Sequence, residues 1–148
     1  MYALPVTAKR PKKKERPGVD RAGRSPLHYA AMNGDLAEVR RLLTAGSDPS
    51  AADDQGWTPL HFAAREQHAS VAQTLLAAGA NVDARDSHGN TPLGNAVFSS
   101  RGVHGDLIAL LRSHGADAHA ENKHGVSPLS LARTIANYDV AQFFKDLL

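Results

Sequence analysis

A five-residue pattern, Gly-x-(Ser/Thr)-Pro-Leu, recurs four times along this 148-residue chain. It reads GRSPL at 23–27, GWTPL at 56–60, GNTPL at 89–93 and GVSPL at 125–129, at spacings of 33, 33 and 36 residues. Asp20, Asp53, Asp86 or Asn122 stands three residues before each glycine. A period of this length implies one supersecondary unit repeated in tandem. No such unit buries its own apolar face; stacked neighbours do it for one another.

Each part of the pattern has a local physical purpose. An Asp or Asn side chain bonds nearby backbone, and the glycine accepts a positive φ, so Asp/Asn-x-x-Gly reads as a tight turn. Ser25, Thr58, Thr91 and Ser127 are placed as helix N-caps. The prolines that follow, Pro26, Pro59, Pro92 and Pro128, suit the first helical position, where no N–H is needed. A short helix of small residues comes next. A second helix carries paired leucines, Leu42–Leu43, Leu75–Leu76 and Leu110–Leu111, and stops at Gly46, Gly79 or Gly115.

These units resemble ankyrin repeats, whose TPLHxA signature is matched by SPLHYA at 25–30 and TPLHFA at 58–63. The resemblance implies an all-α solenoid of four helix-turn-helix repeats joined by β-turn or hairpin loops. The domain then spans 19–148, with repeats at about 19–51, 52–84, 85–120 and 121–148, after a basic, flexible tail at 1–18. It also implies a structural role for His28 and His61, bonding the preceding turn. Gly94 and Ser130 stand in the place of that histidine in repeats three and four, so weaker knitting of the turns is expected there. The ending VAQFFKDLL reads as a terminal capping helix with Val140, Phe143, Phe144 and Leu147 as its buried stripe. The stretch NKHGVSPLSLARTIANYDVAQFF at 122–144 resembles the endings of small bacterial ankyrin proteins.

Charge is unevenly divided. Eight of the 17 basic and two of the 15 acidic residues lie in 1–24, leaving nine and thirteen in 25–148, a net of −4 against +2 for the whole chain. The basic run from Lys9 to Arg16 admits three readings: a solubilising tail, an electrostatic contact with nucleic acid or an acidic partner, or, in a eukaryotic cell, a nuclear-import signal. Only Tyr2 offers an aromatic near these charges, which argues against base stacking and sequence-specific nucleic-acid binding. The apolar stretch MYALPV admits a further role as a cap over repeat one. The N-terminus lacks the order of charges and the apolar core of a signal peptide, and no apolar run is long enough to span a membrane, so the cytoplasm is the expected compartment.

Cysteine is absent, which removes disulfides, thiolate metal sites and a cysteine nucleophile. His88 and His124 recur at one turn position, and His114 and His119 flank Asp117, but no metal-binding spacing joins them. The repeated Ser and Thr residues are accounted for as caps, no carboxylates are paired by periodicity, and no phosphate-binding glycine motif occurs. No catalytic site, cofactor or metal is expected.

What remains is binding. The resemblance places the binding surface on a concave face lined by turn tips and first helices. Transferred position by position, it gives Arg21 and Arg24, then Asp54, Gln55 and Trp57, then His88 and Asn90, then Lys123 and His124. From the first helices come Met32, Asn33, Arg65 and Glu66. The three extra residues of repeat three fall near 99–105, and a projecting loop contact centred on Phe98, Arg101 and His104 is a second candidate; a merely tolerated loop is the alternative. Trp57, the sole tryptophan, aligns with Arg24, Asn90 and Val126. A position so tolerant is expected to be exposed, making Trp57 the leading anchor, flanked by Arg24 and Arg65. The alternative is that its ring lies flat on a neighbouring turn. The expected function is a non-catalytic protein-binding module, monomeric when free, in one version an immunity or inhibitor protein that occludes a toxin or enzyme. The other reading is an adaptor or regulator whose basic tail makes electrostatic contacts.

Overall fold

The computed structural model describes residues 17–102, 105–135 and 138–148. Residues 1–16, with MYALPV and the run Lys9–Arg16, lie outside them, as do residues 103–104 and 136–137. The described residues are helical and contain no strands. First and second helices alternate: α1 (Pro26–Asn33), α2 (Leu36–Thr44), α3 (Pro59–Arg65), α4 (Ala69–Ala77), α5 (Pro92–Ser99), α6 (Gly105–Ser113) and α7 (Pro128–Thr134). A 3₁₀ segment, Ala141–Leu147, closes the chain.

The helix starts follow from the repeated pattern. Each first helix carries its proline at the N-terminus. Thr58, Thr91 and Ser127 accept from His61, Gly94 and Ser130 N–H through their side-chain oxygens. Ser25 differs: the His28 N–H bonds its carbonyl at 3.1 Å, and its Oγ lies 2.9 Å from His28 Nδ1. Ahead of each cap, Asp20, Asp53, Asp86 and Asn122 accept two backbone N–H bonds from within their own turn, all at 2.9–3.0 Å.

The repeats stack through two layers. The first helices pack in the order α1, α3, α5, α7, and the second helices in the order α2, α4, α6. The motif leucines Leu27, Leu60, Leu93 and Leu129 are at most 5% exposed and anchor the core with small Ala residues and Val39, Leu75, Val97, Ile108 and Leu111. Burying each such side chain contributes about 1.5–3 kcal/mol. Gly56 sets the closeness of the stack. Its φ is +78°, and a Cβ there would meet the Asp86 backbone at 2.9 Å.

The C-terminal segment departs from the expected capping helix. It is 3₁₀, interrupted at Phe144 (φ −127°). Val140 and Phe144 are fully buried and Phe143 is half-buried, but Leu147 is exposed. Arg112 fastens the segment: its guanidinium donates to the Phe143 carbonyl (3.0 Å), pairs with Asp146 and lies 5.2 Å from the Phe144 ring centre. The extra residues of repeat three do sit between α5 and α6, where Gly102 meets the segment and its carbonyl accepts from Gln142 Nε2 at 3.3 Å.

Candidate partner-binding face

The tips form a ladder. Asp54, Ser87 and Lys123 N–H donate to the carbonyls of Ala22, Gln55 and His88 in the preceding repeat, at 2.8–2.9 Å. With their backbones so engaged, Asp54, Gln55, His88, Lys123 and His124 present exposed side chains along one edge, beside Arg21. The rings of His88 and His124 stack with centroids 6.5 Å apart. Among the described residues no group of three or more His, Asp or Glu side chains could hold a metal.

His28 and His61 are buried and committed to the stack. His28 Nδ1 faces the Ser25 backbone N–H at 2.9 Å, and its Nε2 faces the Trp57 carbonyl at 3.0 Å. His61 repeats the arrangement with Thr58 N–H (3.1 Å) and the Asn90 carbonyl (2.9 Å). A backbone N–H only donates and a carbonyl only accepts, so both rings must be neutral with the proton on Nε2. Desolvation pushes both pKa values below the ordinary histidine value, despite the carbonyl bonds. Each ring therefore joins its own N-cap to the next repeat's turn; the sequence pointed only to the preceding turn.

Trp57 is half-buried rather than exposed, which corrects the expectation drawn from its variable alignment column. Its ring packs on His61 and Phe62 with centroids 5.6 and 4.9 Å away, and the Arg65 guanidinium lies 5.1 Å over it. The contacts come from its own repeat. Arg24 meets the next repeat through other residues. It bonds Asp53 at 3.3 Å and lies over Phe62 (5.0 Å) and Tyr29 (5.9 Å), tying repeat one to repeat two. Tyr29 in turn donates to Asp20, and that bond holds the Asp20 carboxyl below its usual pKa.

Between these elements runs a groove of about 510 Å³. Trp57, Arg65, Asn90, Phe98 and His124 line it, together with Thr91, Gly94, Asn95, Asn122, Val126, Pro128 and Leu131. Phe98 is 75% exposed. Glu66 adjoins through its ion pair with Arg65 at 2.9 Å. Five predicted residues thus meet in one concavity. Met32 and Asn33 lie instead on α1, at the other end of the stack, and Arg101 is exposed in the loop after α5. His104 lies outside the described residues. The sequence reading missed Thr91, Gly94, Asn95 and Leu131. The one signal for them was the lost histidine at Gly94.

The profile of a family described as ankyrin repeats (3 copies) matches residues 8–86, more than half of the chain. The turn–helix–helix pattern continues past that match through Gly125 and α7. A search among curated proteins finds no match. No described helix is long and apolar enough to cross a membrane.

Proposed function

The chain belongs to the ankyrin-repeat family, whose repeats are protein–protein interaction modules, and from that premise we propose that it is a stoichiometric inhibitor that occludes its partner through the groove between Trp57 and Leu131. The observation that carries this reading is the pairing of a highly exposed Phe98 with a half-buried Trp57 across one concavity, rimmed by polar tips. A large aromatic left in water beside a shaped apolar hollow is the usual anatomy of an interface anchor. His28 and His61 have both ring nitrogens committed to backbone, and the Thr58, Thr91 and Ser127 hydroxyls cap helices.

The test is capture from the native cell with the full chain and with Phe98→Ser, followed by activity assays on any protein that the variant fails to retain. Loss of that activity at one equivalent of the wild-type chain supports occlusion; binding without inhibition leaves an adaptor. The basic residues of 1–24 support the second reading, an adaptor docked electrostatically through its tail. Binding that falls steeply with salt favours the tail. Weak salt dependence favours the groove.

A further inference from the structure

Repeat three keeps the two backbone groups that an imidazole joins in repeats one and two, without the imidazole. In repeats one and two the ring of His28 or His61 spans two fixed backbone groups, the N-cap N–H of its own helix and the turn carbonyl of the next repeat. The corresponding carbonyls, Trp57 and Asn90, each accept two bonds, one from the ring and one from within the turn (Asp53 or Asp86 N–H). In repeat three no ring can reach them from within, because position 94 is glycine. The two backbone groups remain. Among the described residues nothing bonds the Thr91 N–H, and the Val126 carbonyl keeps only its turn bond from Asn122 N–H at 2.9 Å. Repeat four solves the same problem differently, with Ser130 Oγ accepting the Ser127 N–H at 2.9 Å.

The space is open as well as unpaired. A Cβ at Gly94 would meet only Thr91 Oγ1, at 3.8 Å, and the groove reaches Thr91, Gly94 and Val126 together. Leu131 lines it too; it occupies the repeat-four position of Phe62, whose ring meets the His28 ring edge-on at 6.0 Å. Thr91 is 2% exposed, and the groove lies at its side.

The geometry points to a binding slot at Gly94 for a neutral imidazole supplied from outside the chain, with its unprotonated nitrogen on Thr91 N–H and its N–H on the Val126 carbonyl. The natural occupant is a histidine side chain of the partner protein, inserted where repeats one and two carry their own. The occupant's identity rests on the groove reading above; the slot rests on repeat three alone. A carboxylate lacks the donor that the carbonyl requires, and an imidazolium lacks the acceptor that the N–H requires.

The test uses the full ¹⁵N-labelled chain, titrated at pH 8 with imidazole and, separately, with 1-methylimidazole, which has no N–H. Imidazole is expected to shift the Thr91 amide resonance saturably, and 1-methylimidazole to do so at least tenfold more weakly. Gly94→Ala has room for its methyl and should keep the fold while weakening imidazole at least tenfold. Gly94→His should fill the slot, abolish the response and raise the thermal midpoint. The slot is overturned if the Thr91 amide does not respond, if both probes act equally, or if the response survives in Gly94→Ala. Because no partner is present in this titration, its failure leaves the groove reading standing, and failure of partner capture leaves the slot standing.

Discussion

His61 Nε2 donates to the Asn90 carbonyl, 2.9 Å away in the next repeat, while Nδ1 takes the Thr58 N–H of its own. One neutral ring thus satisfies two buried backbone groups on opposite sides of a repeat boundary. His28 does the same one repeat earlier. Protonating either ring would set an N–H against an N–H.

Stability should depend on pH accordingly. The folded-state pKa values of both histidines lie below the ordinary value near 6.5. Their stabilising contribution is therefore complete above about pH 7 and is lost as pH falls from about 6.5 toward the lower folded values, since the unfolded chain binds protons first. Thermal midpoints should be level from pH 8 to 7 and fall as the pH drops below about 6.5. His61→Ala should lower the midpoint at pH 8, at a cost of about 2 kcal/mol or more from two unmade bonds, and should flatten part of the pH slope. A variant with the wild-type slope would remove His61 as its source.

Two glycines with similar φ should respond very differently to alanine. Gly46 (φ +94°) has nothing within 4 Å of the place a methyl would take, so Gly46→Ala bears only the backbone strain, about 1–2 kcal/mol. Gly56→Ala adds a 2.9 Å collision with the Asp86 backbone and must separate repeats two and three. Urea midpoints should rank wild type, Gly46→Ala, Gly56→Ala. Equal midpoints for the two variants would show that the stack yields at that boundary.

The terminal segment should depend on Arg112. Arg112→Ala removes the bond to the Phe143 carbonyl, the Asp146 pair and the stacking on Phe144. We expect the midpoint to fall by several degrees, and limited proteolysis to begin in residues 138–148. Cleavage starting elsewhere would assign the segment's attachment to Val140 and Phe144 alone.

What the sequence disclosed was what is local. Pro59, Thr58 and Leu60 announce a helix start because cap, φ restriction and core contact lie within three residues. Asp53 and Gly56 announce their turn for the same reason. Lateral contacts were less visible. Trp57 aligns with arginine, asparagine and valine, a variability that suggested exposure, yet its ring folds back onto His61 and Phe62 four and five residues on. Arg24 finds Asp53 twenty-nine residues away, a pairing that only the stacking creates. Leu147 fits an apolar helical stripe, yet the segment is 3₁₀, interrupted at Phe144, and leaves Leu147 exposed. Gly94 was legible as a lost bond; that the loss opens a groove depended on where Val126 and Leu131 lie.

If the groove holds the partner, Phe98 must matter to binding and not to folding. Its side chain is 75% exposed and α5 is anchored by Leu93, Ala96 and Val97, so Phe98→Ala should leave the thermal midpoint within about 2 °C, the scale of a surface change under roughly 0.5 kcal/mol. The measurement is the affinity of the captured partner for the wild-type and Phe98→Ala chains, taken with that midpoint. A loss of about thirtyfold or more, near 2 kcal/mol, at unchanged stability is the predicted result. Unchanged affinity would contradict the groove as the binding face and move the interface elsewhere on the stack.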